Sequence, residues 1–201
     1  TTVSTLTPLN GARLPFLHWF SDASNKVPSV TGGAGMLAFG CVAPCSTRQH
    51  LVAPESTSAE IVAAGTNYNF IVPVAGVLQE LHIQQGAGVP LYLDSKSTTF
   101  VATSDTAVKR SAWLLRRIAV LEDGVKGGEI EPIYIPECIM VADPYTKLLS
   151  LAVWRRLTNY LLNLWTTEDE VAPPALPATA GWQKVGGRGG RGGRGGRGRG
   201  R

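Results

Sequence analysis

"YLDSKST", residues 92 to 98, is the stretch on which the reading of this chain turns. A run of strand formers, Val89, Leu91, Tyr92 and Leu93, stops abruptly on an aspartate. Ser95 and Ser97 follow as helix-starting residues. A short apolar run bounded by turn signals reads as a buried strand. Asp94 is then either a turn or cap residue or a carboxylate held out at a strand end for chemistry.

The segments upstream read as three strands and a helix. "LPFLHWFSDAS", residues 14 to 24, is a predicted strand ending on Asp22. "SVTGGAGMLAFG", residues 29 to 40, and the start of "CVAPCSTRQHLVAPEST", residues 41 to 57, follow closely enough for an antiparallel meander. Residues 56 to 83 are predicted to be mostly helical. Thr57 is the expected N-cap and Glu60, three residues on, matches a capping box. Ile61, Ala64 and Tyr68 line one face, and Pro73 is expected to kink or break the helix.

Downstream of Asp94, helical stretches are expected near 97 to 103 and 109 to 124. "EIEPIYIPE", residues 129 to 137, alternates like a strand. "MVADPYTK", residues 140 to 147, is expected to open a helix, with Asp143 as cap and Pro144 in the first turn. "LSLAVWRRLTNYLLNLW", residues 149 to 165, is an amphipathic helix striped by Val153, Leu157, Tyr160, Leu161 and Leu164. It packs on the body's own sheet or docks a protein partner. Strands first, then strands alternating with helices, predict an α/β domain: an antiparallel group extended by parallel strands through helical crossovers.

Charge divides the chain of 201 residues. All 15 acidic residues precede Gln183, while Lys184, Arg188, Arg191, Arg194, Arg197, Arg199 and Arg201 supply seven of the 19 basic ones. The body is therefore 12 − 15 = −3 and the tail +7, which sum to the net +4. The expected organisation is an N-terminal extension (1–13), a globular domain (14–150) and a C-terminal helix (151–166). An acidic, proline-rich linker (167–182) and an Arg-Gly tail (183–201) complete it. Repeated Arg-Gly-Gly is expected to be disordered alone and to bind RNA through phosphate contact and stacking. A solubilising tail or an arginine-methylation site are the other uses of such a segment.

Cys41, Cys45 and Cys138 do not suggest a disulfide framework, and Cys41, Cys45 and His50 lack a fourth zinc ligand at fitting spacing. No run of about 18 apolar residues is seen, so no membrane-spanning segment is expected. No signal peptide is visible and the chain begins on Thr1, which predicts an intracellular chain, processed or cut from a longer one.

Four acids stand out by position: Asp22, Glu60, Asp94 and Asp143. Each has an ordinary use as a turn or capping residue. If the first and fourth strands are neighbours, however, Asp22 and Asp94 emerge side by side, and a helix crossing the sheet can aim Glu60 at the same point. Carboxylates held together repel unless cations neutralise them. Mg²⁺ or Mn²⁺, which take oxygen ligands, fit such a site. Two such ions about 3.5–4 Å apart support phosphodiester hydrolysis.

"SDAS", "STSAEI", "YLDSKST", "GEIEPIYIPE" and "VADPYTKLL" come in the order, and at roughly the spacing, of motifs in the ribonuclease H domain of copia-type retrotransposon polyproteins. Over about residues 15 to 150 the chain resembles that family. The resemblance implies a ribonuclease H-like fold: a five-stranded mixed sheet flanked by helices, here with a C-terminal helix and the Arg-Gly tail. It implies that Asp22, Glu60, Asp94 and Asp143 are catalytic, metal-binding carboxylates using two Mg²⁺ or Mn²⁺ ions. The implied reaction is hydrolysis of the RNA strand of an RNA–DNA hybrid.

The chain also departs from that family. Where the family reads T-K-H-I-D-I-R-Y-H-F-I-R-E, this chain reads "VKRSAWLLRRIAV", residues 108 to 120, and no histidine follows His82. Lys109, Arg110, Arg116 and Arg117 cluster on this predicted helix, with Trp113, Leu114 and Ile118 facing inward. The basic groups are candidates for phosphate contacts. A second reading follows from the missing histidines and the tail: a domesticated ribonuclease H-like fold acting as a non-catalytic RNA-binding or structural subunit of a ribonucleoprotein, such as a mitochondrial ribosome.

Overall fold

The computed structural model describes residues 16–38, 40–50, 55–83, 88–103 and 112–164. Five strands form one sheet: β1 (His18–Ala23), β2 (Val30–Leu37), β3 (Gly40–Arg48), β4 (Val89–Leu93) and β5 (Ile130–Tyr134). Their order is β3-β2-β1-β4-β5. β1, β2 and β3 pair antiparallel, while β1–β4 and β4–β5 pair parallel. This is the expected mixed sheet, with the fourth strand laid beside the first. Pro132 is tolerated in β5 because that strand is at the sheet's edge.

Strand alternation sorts the core into two layers. On one face Leu17, Trp19, Leu91 and Leu93 meet Ile61, Ala64 and Ile71 of α1 (Ser56–Glu80) and Leu114, Ile118 and Leu121 of α3 (Ala112–Lys126). On the other, Phe20, Ala34, Met36 and Tyr92 meet Ile139, Met140 and Leu161. Two short 3-10 turns, Glu137–Ile139 and Asp143–Tyr145, and α4 (Leu151–Leu162) cover this second face. α2 (Lys96–Thr103) follows β4 directly.

Several local expectations are corrected. α1 begins at Ser56, not at a Thr57 cap, because the Glu55 carbonyl already accepts from the Ser58 and Ala59 amides. Pro73 does not break α1, which runs through it. Pro73 and Asn69, whose carbonyl loses its helical partner, are both exposed, so water can serve that carbonyl. α1 is also long and apolar enough to cross a membrane, with a mean hydropathy of 1.5 over 18 residues, contrary to the expectation of no such segment. Here its N-terminal half lies on the sheet, with Ala59, Ile61, Ala63 and Ala64 buried. "VADPYTK" forms only a 3-10 turn, with Ala142 rather than Asp143 at its cap. In α4 Leu157 and Leu161 are buried as expected, but Leu164 is exposed, since Asn163 turns left-handed (φ 55°) and ends the helix.

Cys41 is half-buried, Cys45 buried and Cys138 exposed, all three free. Among the described residues none of them joins a group of metal-ligating side chains.

Candidate active site

The parallel pairing of β1 with β4 builds the site. Phe20 aligns with Tyr92 and Ser21 with Leu93, so the next residues, Asp22 and Asp94, lie side by side at the C-terminal end of the paired strands. Asp22 is buried and Asp94 half-buried. Ser95, not Asp94, caps α2, its hydroxyl accepting from the Thr98 amide at 3.2 Å. The Asp94 carboxylate is thereby released from the local role that the sequence also allowed.

Glu60 arrives from the helix layer. It does not close a capping box. One of its oxygens, Oε1, accepts from the Ala23 amide at 3.2 Å, across 37 positions of sequence. The other, Oε2, is buried with no hydrogen-bond partner. One carboxylate oxygen each from Asp22, Glu60 and Asp94 lies within 4.8 Å of the others. Three buried or half-buried acids converge on a point that a cation would fill.

Electrostatics follow from that crowding. Burial, then the Asp22 and Asp94 charges, push Glu60 up to about 9. Burial, then Asp22, raise Asp94 to about 6. Burial also raises Asp22, against the hydrogen bond from Thr146 and the charge of Lys147. Without a cation, Glu60 is therefore protonated at neutral pH. A buried carboxyl that stays neutral, with one oxygen orphaned, fits a divalent oxygen-binding ion, because metal ligation requires the deprotonated form.

Asp143, the fourth predicted acid, is buried nearby but is not one of the three converging groups. Its Oδ1 is ion-paired with Lys147 Nζ at 3.0 Å. Burial raises it to about 6, with Asp22 and Asp94 adding to the rise and Lys147 opposing it. Lys147 also lies 3.8 Å from Asp22 Oδ1 and 3.4 Å from Glu137 Oε1. Burial alone would lower the Lys147 pKa, but Asp22 and Asp143 outweigh it and hold the ammonium charged. Thr146 Oγ1 donates to Asp22 Oδ2. Gly32 makes room for this contact, since a Cβ there would stand 2.4 Å from the Thr146 methyl.

Thr146 and Lys147 lie inside the "VADPYTKLL" motif, outside the set of acids that the sequence singles out. Their spacing to Asp143 was the available signal, because residues four apart in a turn face each other. Among the basic candidates, Arg116 is exposed on α3, and Arg117 is half-buried there. A Cβ on Gly65 of α1 would lie 3.9 Å from the Arg117 Cβ, five residues along the helix from Glu60. Lys109, Arg110 and the basic residues of the tail, Lys184 to Arg201, lie outside the described residues. His18 sits at the N-terminal end of β1, where burial lowers it to about 4 and keeps it neutral.

Comparison with known proteins agrees with this architecture. No protein-family model matches the chain, and no curated protein sequence matches it. Solved structures do. The N-terminal RNase H domain of Rv2228c from Mycobacterium tuberculosis superposes with a TM-score of 0.50 at 11% identity, covering 71% of this chain and 96% of that one. LC11-RNase H1, isolated from compost by a metagenomic approach, superposes with a TM-score of 0.51 at 16% identity, covering 66% and 93%. This chain has a ribonuclease H-like fold, and its acidic strand end can hold a divalent metal ion.

Proposed function

We propose that this chain is a ribonuclease H-type endonuclease of copia-type retroelement origin, hydrolysing the RNA strand of RNA–DNA hybrids. Convergence of Asp22, Glu60 and Asp94 within 4.8 Å carries the reading. Mg²⁺ or Mn²⁺ is the cofactor, with Asp22, Glu60, Asp94 and Asp143 as its ligands. Bound there, two such ions supply an activated water and stabilise the leaving oxygen.

The chain's own groups prepare that step. Asp22 and Asp94 present oxygens from two adjacent strand ends, whose pairing fixes their separation. The Ala23 amide holds Glu60 by one oxygen and leaves the other buried without a hydrogen-bond partner. Glu60 releases its proton when it becomes a ligand, so binding strengthens as pH rises toward about 9. Thr146 fixes Asp22 through its second oxygen. Arg116 and Arg117, with Lys109 and Arg110 before them, contact substrate phosphates and set register rather than sequence. Lys184, Arg188, Arg191, Arg194, Arg197, Arg199 and Arg201 add salt-sensitive affinity for RNA. Residues 14–150 are the catalytic unit in this reading. Helix α4 offers a protein partner the exposed side chains of Leu151, Trp154 and Leu162.

The test is hydrolysis of a labelled RNA–DNA hybrid with Mg²⁺ or Mn²⁺ by the wild type and by Asp94→Asn. Cleavage of the RNA strand alone, lost in the variant, is expected. No wild-type cleavage, with RNA binding lost on removal of 183–201, would instead support the non-catalytic ribonucleoprotein subunit.

A further inference from the structure

Asp22 stands between two places where positive charge is called for. On one side are Glu60 and Asp94, with the orphaned Glu60 oxygen. On the other is Asp143, and that side is already occupied by a cation. Lys147 Nζ lies 3.0 Å from Asp143 Oδ1, 3.8 Å from Asp22 Oδ1 and 3.4 Å from Glu137 Oε1. The Lys147 side chain is 29% exposed, while those of Asp22 and Asp143 are 1% and 9% exposed. It is therefore the cation that compensates two buried carboxylates.

We propose that Lys147 is the resident cation of the Asp22–Asp143 position and limits the substrate-free chain to one divalent ion, held by Asp22, Glu60 and Asp94, so that Asp143 becomes a ligand of a second ion only when the ammonium moves away. The inference rests on reading those three acids as a metal site, and it adds a gate to that site. A divalent ion between Asp22 and Asp143 has to displace the ammonium or sit against it, and like charges this close repel strongly in a partly buried setting. Glu137, exposed and paired with the same ammonium, gives Lys147 an anchor on the solvent side. Lys147 is thus a positioning residue: it acts on metal occupancy through Asp143 and Asp22.

The experiment is Mn²⁺ titration of the full chain at pH 8, followed by electron paramagnetic resonance, for wild type, Lys147→Met, Lys147→Gln and Lys147→Arg. Free Mn²⁺ signal gives stoichiometry, and spin coupling reports whether two ions are adjacent. The wild type and Lys147→Arg are expected to bind one ion tightly, with an uncoupled spectrum. Lys147→Gln, or Lys147→Met if it folds, is expected to bind a second ion at least about tenfold more tightly than wild type does, with a coupled spectrum. Two coupled ions in the wild type, or one ion in both neutral variants, would overturn the gate while leaving the metal site standing. No bound ion in any of the four would overturn the metal site itself, and the gate with it.

Discussion

Glu60 and Asn67 sit seven residues apart on α1, about two helical turns, and both are buried polar side chains aimed at the sheet. Their fates differ. The Asn67 carbonyl accepts from the Trp19 indole at 3.0 Å, and its amide donates to Ser21 Oγ and to the Gly32 carbonyl, both at 2.9 Å. Gly33 lets it approach, since a Cβ there would stand 1.9 Å from Asn67 Oδ1. Glu60 has one bond and one orphaned oxygen, and its neighbours are two more carboxylates. Buried polar groups are almost always satisfied. Asn67 is satisfied and ties α1 to the sheet, while Glu60, two turns away, keeps an unpaired oxygen in a cluster that could hold a cation.

The largest effect that sharpens the contrast is expected from Glu60→Gln. Cleavage of the hybrid should fall by about 10²–10³-fold or more, the scale for losing a transition-state electrostatic partner. Urea unfolding of the metal-free variant should show equal or higher stability than wild type, because a crowded carboxyl has been made permanently neutral. Asn67→Ala should do the reverse. It strands the Trp19 and Ser21 groups and the Gly32 carbonyl, at about 1–3 kcal/mol for each buried group left unpaired. Urea midpoints should drop, while cleavage per folded molecule holds.

Smaller effects probe the electrostatics. Glu60 and Asp94 are raised above their ordinary values, so the folded metal-free chain holds protons that the unfolded chain has released. Stability is then fullest below about 4 and falls as pH rises through the ordinary carboxylate range, continuing until Glu60 ionises near 9. Melting temperature in chelator should decline from pH 5.5 to pH 8.5, and Mg²⁺ should recover part of the loss. A flat or rising curve would contradict the crowding. Thr146→Val should give the mildest change, about tenfold in Mn²⁺ affinity, as befits the loss of a partner that orients a ligand.

The sheet was legible because its signals are local and periodic. "VPLYLD" reads as a buried strand stopping on an acid, and the interval from Asp22 to Asp94 leaves room for the α1 crossover that sets β4 parallel to β1. Glu60 was legible as an acid in the right place but not as an uncapped one. A capping box and a ligand look alike over four residues, and the Ala23 amide that decides between them is 37 positions away. The separation of Asp143 from the other three acids was not legible, since it depends on where the Lys147 ammonium comes to rest in three dimensions. The unbroken course of α1 through Pro73 turns on exposure, which local sequence does not report.

Calorimetric titration of Mg²⁺ or Mn²⁺ into the full chain at pH 7.5, repeated in buffers of different ionisation enthalpy, tests the central claim most directly. It counts the protons released per bound ion. With Glu60 held near 9, the wild type should release about one proton per ion, and Glu60→Gln should bind more weakly and release almost none. Binding without proton release in the wild type, or no binding at all, would contradict the account of Glu60 as a protonated ligand awaiting its metal.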